Sequence, residues 1–350
     1  MKLAASLLGL VPAAVLAAAS PSGAERAADA GRSLVGMSAP RLVLTTIDGQ
    51  RIDLGRLYDT KAVYLKFWAT WCVPCREQMP HLARTYLTAG SDLAVIAIDA
   101  GFNDSLADVR EYRQHLGLTM PIVLDDGRLD AAFNLRVTPQ HVVIARGGRI
   151  LYVGHLADAP LEEALRAARS GAPSDSAAMG RTATASAAAV PSVHYQVGDR
   201  VPDLTLSTLD GGTFHLGAPG RATVLAFLSP WCESYLKSSR PQLAANCRAA
   251  REQSEVHAAD PALRWLGIAS GLWASPEDLS SYREQYHVTI PLTLDASGRL
   301  FHEFRVMTVP TLVLIDANGR IVRRVAGALA GSPDVLRALA MPATARDVLR

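Results

Sequence analysis

Cys72 and Cys75 stand in Trp71-Cys72-Val73-Pro74-Cys75, directly behind the apolar run 62–68. Two cysteines at this spacing, entered from a strand and leaving into a helix, have the form of a dithiol redox centre. The turn at Trp71 is expected to set Cys72 at a helix N-terminus, where unpaired backbone N–H groups and the helix dipole favour a thiolate. Cys75 falls one turn further in, near enough to close a disulfide with Cys72 and shielded by the turn above it. Pro74 suits an early helical position because its missing N–H had no partner to lose there. A zinc site would need a second Cys/His pair at comparable spacing. The other cysteines, Cys232 and Cys247, are not so spaced, and no histidine lies within five residues of Cys75. The expectation is redox chemistry with neither metal nor cofactor.

The elements that must position these sulfurs are written twice. Val35-Gly36 and Pro40 match Val197-Gly198 and Pro202, and Thr46-Ile47-Asp48-Gly49 matches Thr208-Leu209-Asp210-Gly211. Trp71-Cys72 matches Trp231-Cys232, Met120-Pro121 matches Ile290-Pro291, and Phe133 to Pro139 answers Phe304 to Pro310. The offset between copies grows by about ten residues, so an insertion is expected around 253–263, in a loop, because loops absorb length cheaply. Each copy alternates short apolar strands with helical stretches, which argues for a layered α/β domain. Strands are expected near 62–68, 93–98, 141–145 and 149–153, with helices after Pro74 and Ser105. In the second copy, Ser275-Pro276-Glu277-Asp278 reads as a helix start, with a capping serine, an early proline and acids against the dipole.

A chain of 350 residues with 49% hydrophobic and 19% charged content suits two domains with sizeable cores. A net charge of +2 without a lysine/arginine block argues against nucleic acid as a partner. Lys2 precedes an uncharged apolar stretch followed by small residues, the pattern of a secretory signal cleaved after Ala19 or Ala24; a retained membrane anchor is the rival reading. Ala, Ser, Thr and Pro dominate 170–193, which reads as a linker. The expected organisation is a signal peptide at 1–24, a flexible lead at 25–33, a catalytic domain at 34–169, the linker at 170–193 and a degenerate second domain at 194–350.

Phe67-Trp68-Ala69-Thr70-Trp71-Cys72-Val73-Pro74-Cys75-Arg76, followed by Met79-Pro80, resembles the TlpA-like branch of exported thioredoxins over about 35–156. The resemblance implies an α/β fold of two tandem thioredoxin-like domains, each a central mixed β-sheet flanked by helices. It also implies a thiol-disulfide oxidoreductase acting on disulfide- or dithiol-containing exported proteins, in the periplasm or an equivalent compartment. A membrane thiol-electron carrier is the implied reductant. In this family a cis-proline loop faces the dithiol, and Val137-Thr138-Pro139 matches that position; Thr138 would offer its backbone to an extended substrate segment. Trp71 would shape the docking surface. His141, on the same side of its strand as Pro139, either tunes the thiols or is an ordinary satisfied histidine. Relatives often carry a glutamate where this chain has Gln78, and an amide cannot act as a general base. Thioredoxins carry a buried acid where this chain has Lys66, which either lies behind Cys75 and favours its thiolate or snorkels to the surface along its stem.

The second copy keeps Cys232 but has Tyr235 in place of the second cysteine, so it could attack a disulfide without resolving the product locally. If the helix from Cys232 runs unbroken, Cys247 is about 22 Å away, beyond bonding range, and reads as a small buried hydrophobe. Val309-Pro310 keeps the cis-proline position, so a substrate-binding edge is expected to outlast the chemistry. Two other functions compete. A thiol peroxidase wants Thr or Ser three residues before its cysteine and Pro seven before; Cys232 has Ser229 but Leu225. A non-catalytic scaffold or metallochaperone could use Cys232 with His257, His287 or His302.

Overall fold

The computed structural model describes residues 21–171 and 193–327. The signal peptide lies largely, and the linker almost wholly, outside the described residues. No helix among the described residues is long and apolar enough to cross a membrane.

The first domain opens with α1 (Gly23–Leu34), then β1 (Val43–Thr45), β2 (Arg51–Asp53) and α2 (Leu54–Thr60). The body follows as β3 (Ala62–Trp68), α3 (Val73–Glu77), α4 (Met79–Leu87), β4 (Leu93–Asp99), α5 (Leu106–Leu116), β5 (Ile122–Leu124), α6 (Arg128–Ala132), β6 (Gln140–Ile144), β7 (Ile150–Gly154) and α7 (Ala159–Ser170). The second domain repeats this plan with β8 (Leu204–Ser207), β9 (Thr213–Leu216), β10 (Ala222–Leu228), α8 (Cys232–Tyr235), α9 (Pro241–His257), β11 (Leu263–Ser270), α10 (Pro276–Tyr286), β12 (Leu292–Asp295), α11 (Arg299–Glu303), β13 (Thr311–Ile315) and β14 (Ile321–Ala326).

The sheets have equivalent orders, β5-β4-β3-β6-β7 and β12-β11-β10-β13-β14. In each, the first three strands are parallel and the last two antiparallel, the mixed arrangement of a thioredoxin-like domain. β3 is central and every one of its residues is buried, as a strand covered by helices on both faces must be. Its alternation sends Val63, Leu65 and Phe67 to one face and Tyr64, Lys66 and Trp68 to the other.

Two expectations about local structure need correcting. The segment 25–33 is not a flexible lead. Ser22 and Glu25 close a capping box at the start of α1, and the small residues Ala27, Ala30 and Gly31 are its buried face. A Cβ on Gly31 would come within 3.3 Å of Val153, on β7, so small residues are what let this helix lie close to the sheet. The extra length of the second copy also does not sit in a loop: α9 runs unbroken to His257 and takes up much of it. The helix start at Ser275 forms as expected, with a capping box to Asp278.

Candidate functional site

β3 ends at Trp68, and the turn Ala69-Thr70-Trp71 delivers Cys72 to the N-cap of α3. Cys72 and Cys75 form a disulfide with Cα atoms 5.2 Å apart, and the Cys72 Sγ accepts the Cys75 backbone N–H at 3.2 Å. Pro74 occupies the first turn. The turn is held from one side by Asp104, whose carboxylate accepts both the Thr70 N–H (2.8 Å) and the Thr70 hydroxyl (2.6 Å). Burial pushes the Asp104 carboxyl upward against those hydrogen bonds. Its neighbour Asp99 accepts the Gly101 N–H at 2.8 Å; burial, and then the charge of Asp104, raises the Asp99 carboxyl well above the usual range.

From Gln78, at the junction of α3 and α4, runs a chain of hydrogen bonds whose direction is fixed by its ends. His155 Nδ1 meets the carbonyl of Pro139 at 2.7 Å, and the Gln78 amide nitrogen donates to the His155 carbonyl at 3.3 Å. The Gln78 oxygen is therefore left facing His141 Nε2 at 2.8 Å, which must carry the proton. His141 Nδ1 then accepts from the Tyr64 hydroxyl at 2.7 Å. His141 is neutral in this arrangement. Burial first, and then the positive charge of Lys66, hold its pKa well below the ordinary histidine value. Gln78 is thus a connector between the α3–α4 junction and the cis-proline loop, and His155, which sequence reasoning missed, completes the connection.

Lys66 faces His141 across the β3–β6 register. The surface reading of this lysine fails: it is wholly buried, and its Nζ has no hydrogen-bond partner among the described residues. Burial lowers its pKa to about 7. Its side chain leaves through a face of the sheet, and the helices that cover both faces of the fully buried β3 leave the ammonium no path to water.

The Thr138–Pro139 and Val309–Pro310 peptides are both cis. Neither presents an open edge, because the two domains are docked face to face through these loops. Asn103 N–H donates to the Met307 carbonyl at 2.7 Å, and Trp273 N–H donates to the Arg136 carbonyl at 2.9 Å. Asn103 and Trp273 occupy equivalent positions in the two copies, and both have positive φ, 61° and 58°. The Trp273 indole N–H also reaches the Thr138 carbonyl at 3.4 Å, and the Asn103 side chain accepts the Val309 N–H at 2.9 Å. Each copy therefore binds the segment before the other's cis-proline.

Trp71, expected on a docking surface, is only 3% exposed. It packs against Trp231, Tyr235 and Trp273, and its indole N–H donates to the Phe102 carbonyl at 2.9 Å. Tyr235, which stands where a second cysteine would be, accepts the Val73 N–H on its hydroxyl at 3.1 Å. Arg240 reaches across to Thr70 Oγ1 (2.6 Å), Asp104 Oδ1 (2.7 Å) and the Asn103 carbonyl (2.9 Å). Arg240, Asp104 and Trp273 carried no motif signal; only aligning the copies and asking what the repeated loops face could have found them.

The reading of Cys247 as an isolated buried hydrophobe also fails. Cys232 and Cys247 form a disulfide with Cα atoms 6.3 Å apart. The helix from Cys232 breaks after Tyr235 and restarts at Pro241, and the turn between folds α9 back onto α8. Pro241 was the available signal, since proline disfavours helix at the residue before it. Cys232, considered above as a peroxide-reacting thiol or as a metal ligand with His257, His287 or His302, is a half-cystine here.

Residues 35–153 match the AhpC/TSA family model and residues 196–339 match the Redoxin model. The thiol-disulfide oxidoreductase ResA of Bacillus thuringiensis is 30% identical over 35% of this chain and 71% of its own length. ResA of Halalkalibacterium halodurans is 32% identical over 39% of this chain and 78% of its own. The thioredoxin-like protein YneN of Bacillus subtilis is 32% identical over 37% and 78% respectively. Among solved structures, a putative protein disulfide isomerase from Bacteroides thetaiotaomicron aligns at 29% identity over 39% of this chain and 90% of its own, with a TM-score of 0.36.

Proposed function

The chain belongs to the thioredoxin-like family of thiol-disulfide oxidoreductases, and from that premise we propose that Cys72 and Cys75 are its reacting pair, acting on exported proteins in the reducing direction. The Cys72 thiolate attacks a sulfur of a substrate disulfide, forming a mixed disulfide and releasing the other substrate sulfur as a thiolate. Cys75 then attacks Cys72, freeing the second substrate thiol and leaving the Cys72–Cys75 disulfide. Two electrons pass to the substrate, and a dithiol carrier at the membrane restores the enzyme. The Cys75 N–H that meets the Cys72 sulfur would stabilise the thiolate form. Trp71, Pro74, Thr138 and Pro139 form the substrate-binding surround, with the Thr138 backbone offered to an extended segment once the second domain has moved away. Lys66, Gln78 and His141 set the electrostatics behind the pair.

The observation that carries this reading is the Cys72–Cys75 disulfide at the head of α3, behind the central strand. Export is supported by the signal-like N-terminus and by a second disulfide, Cys232–Cys247, which suits an oxidising compartment; a TlpA-like placement within the family is supported by the Phe67 to Arg76 motif with Met79-Pro80 behind it. Reduction of insulin disulfides by wild type, Cys72→Ser and Cys75→Ser tests the assignment. Activity is expected only in the wild type; equal activity in all three proteins would overturn it.

A further inference from the structure

Among the described residues, three of the side chains that join the second domain to the β3–α3 turn, Trp231, Tyr235 and Arg240, lie beside or between Cys232 and Cys247, and Trp273 is a fourth from outside that segment. Trp231, next to Cys232, stacks on Trp71. Tyr235 caps the Val73 N–H. Arg240 grips Thr70, Asp104 and Asn103, and the Asp104 side chain it meets is fully buried. The disulfide spans 15 positions and ties the two ends of this segment together. The residues on either side of Cys72, Trp71 and Val73, are thus both held by this segment, and with Cys72 2% exposed and Cys75 not at all a protein substrate cannot reach the dithiol in this arrangement.

We infer that the Cys232–Cys247 disulfide is a redox latch: its reduction by a dithiol releases the segment between α8 and α9 and uncovers Cys72. The physical reason lies in the size of α8. A helix of four residues cannot hold its own conformation, so the covalent tie to α9 is what keeps Trp231 and Tyr235 aimed at the first domain. Among the four half-cystines Cys247 is the most open, at 9%. An incoming thiolate attacks the Cys247 sulfur, the Cys232 sulfur leaves as a thiolate, and the second thiol of the reagent closes the reagent's own disulfide on resolving the mixed intermediate. Two electrons and two protons pass from the dithiol to Cys232 and Cys247. The latch would thus join access to Cys72 to the supply of reducing equivalents. It rests on Cys72 and Cys75 being the reacting pair.

The test is reduction of the intact oxidised protein with dithiothreitol, quenched at intervals by alkylation, with each cystine followed separately by peptide mass spectrometry. In the wild type, loss of Cys232–Cys247 is expected to precede loss of Cys72–Cys75. In Cys232→Ser/Cys247→Ser, the Cys72–Cys75 bridge should be reduced about tenfold faster, as a shift in a local opening equilibrium predicts. Earlier loss of Cys72–Cys75 in the wild type, or a rate in the double variant within about twofold of wild type, overturns the latch. Where circular dichroism shows that the double variant has lost its second domain, Arg240→Ala decides: acceleration supports the latch and an unchanged rate overturns it. The readout is independent of insulin reduction, so an inactive wild type would sink the proposed function without disturbing this result.

Discussion

Trp71 lies against Trp231 with ring centroids 5.0 Å apart and planes inclined by 23°, although the two residues hold the same position in successive copies of one motif. Such a contact means that the copies meet active face to active face. The matching bonds from Asn103 to Met307 and from Trp273 to Arg136 repeat that relationship in the backbone.

Stacked aromatic pairs contribute about 0.5–1.5 kcal/mol beyond their buried area. A double-mutant cycle with Trp71→Ala, Trp231→Ala and the pair, read by chemical denaturation, should give a coupling of about 1 kcal/mol. Strict additivity would mean that the domains do not meet in this way in solution.

Gln78→Glu should disturb the hydrogen-bonded chain through His141 and His155 in two ways. A carboxylate cannot donate to the His155 carbonyl, and it favours the protonated form of His141, raising a pKa that burial and Lys66 now depress. The variant is expected to add a titration step to the pH profile of insulin reduction in the mildly acidic to neutral range, so that its profile departs from that of the wild type. Gln78→Ala, which leaves buried groups unpaired, should instead lose about 1–3 kcal/mol of stability. A pH profile of Gln78→Glu that overlays the wild type would remove Gln78 from the tuning residues.

Lys66 loses its proton near pH 7 in the folded protein and near pH 10.5 when unfolded. Between these values the unfolded chain binds the extra proton, so this group makes stability rise with pH across that window; below pH 7 its full penalty is present. Lys66→Met keeps the stem and removes the charge. It should stabilise the protein by about 3–5 kcal/mol below pH 7, at about 1.4 kcal/mol per pKa unit, with the gap closing toward pH 10.5. Denaturation midpoints across pH check this, and a gap that stays constant with pH contradicts it. The apparent pKa of Cys72 in the same variant tests the tuning role separately; no change would end it.

Asp99 titrates with the opposite sign. Its folded pKa is raised, so the unfolded chain releases the proton first, and stability falls as pH rises from the ordinary carboxylate value to the raised one. Asp99→Asn is expected to gain about 1–3 kcal/mol at neutral pH by removing a buried acid, with the gain shrinking as the pH falls. Equal melting temperatures for the two proteins at pH 7.5 would contradict this.

The elements that short-range chemistry controls were legible in the order of the residues. The strand 62–68, the dithiol turn at Cys72 and the cap at Ser275 could be read because apolar period, proline and capping residues act over a few neighbours, whereas the two cis-proline positions came from the family resemblance and the repeat. The duplication was equally plain, since matched motifs need no coordinates. What escaped was everything that depends on which surfaces meet. Lys66 could be buried or exposed according to what covers the face of β3 from which it projects, and the packing of helices on the sheet decided it. Cys247 could pair with Cys232 only once α9 turned back on α8, a long-range consequence of the break before Pro241. Tertiary structure alone decided that the second domain covers the first: the hydrogen bonds of Asn103, Trp273 and Arg240 join residues more than a hundred positions apart, and no local pattern encodes a partner at that distance.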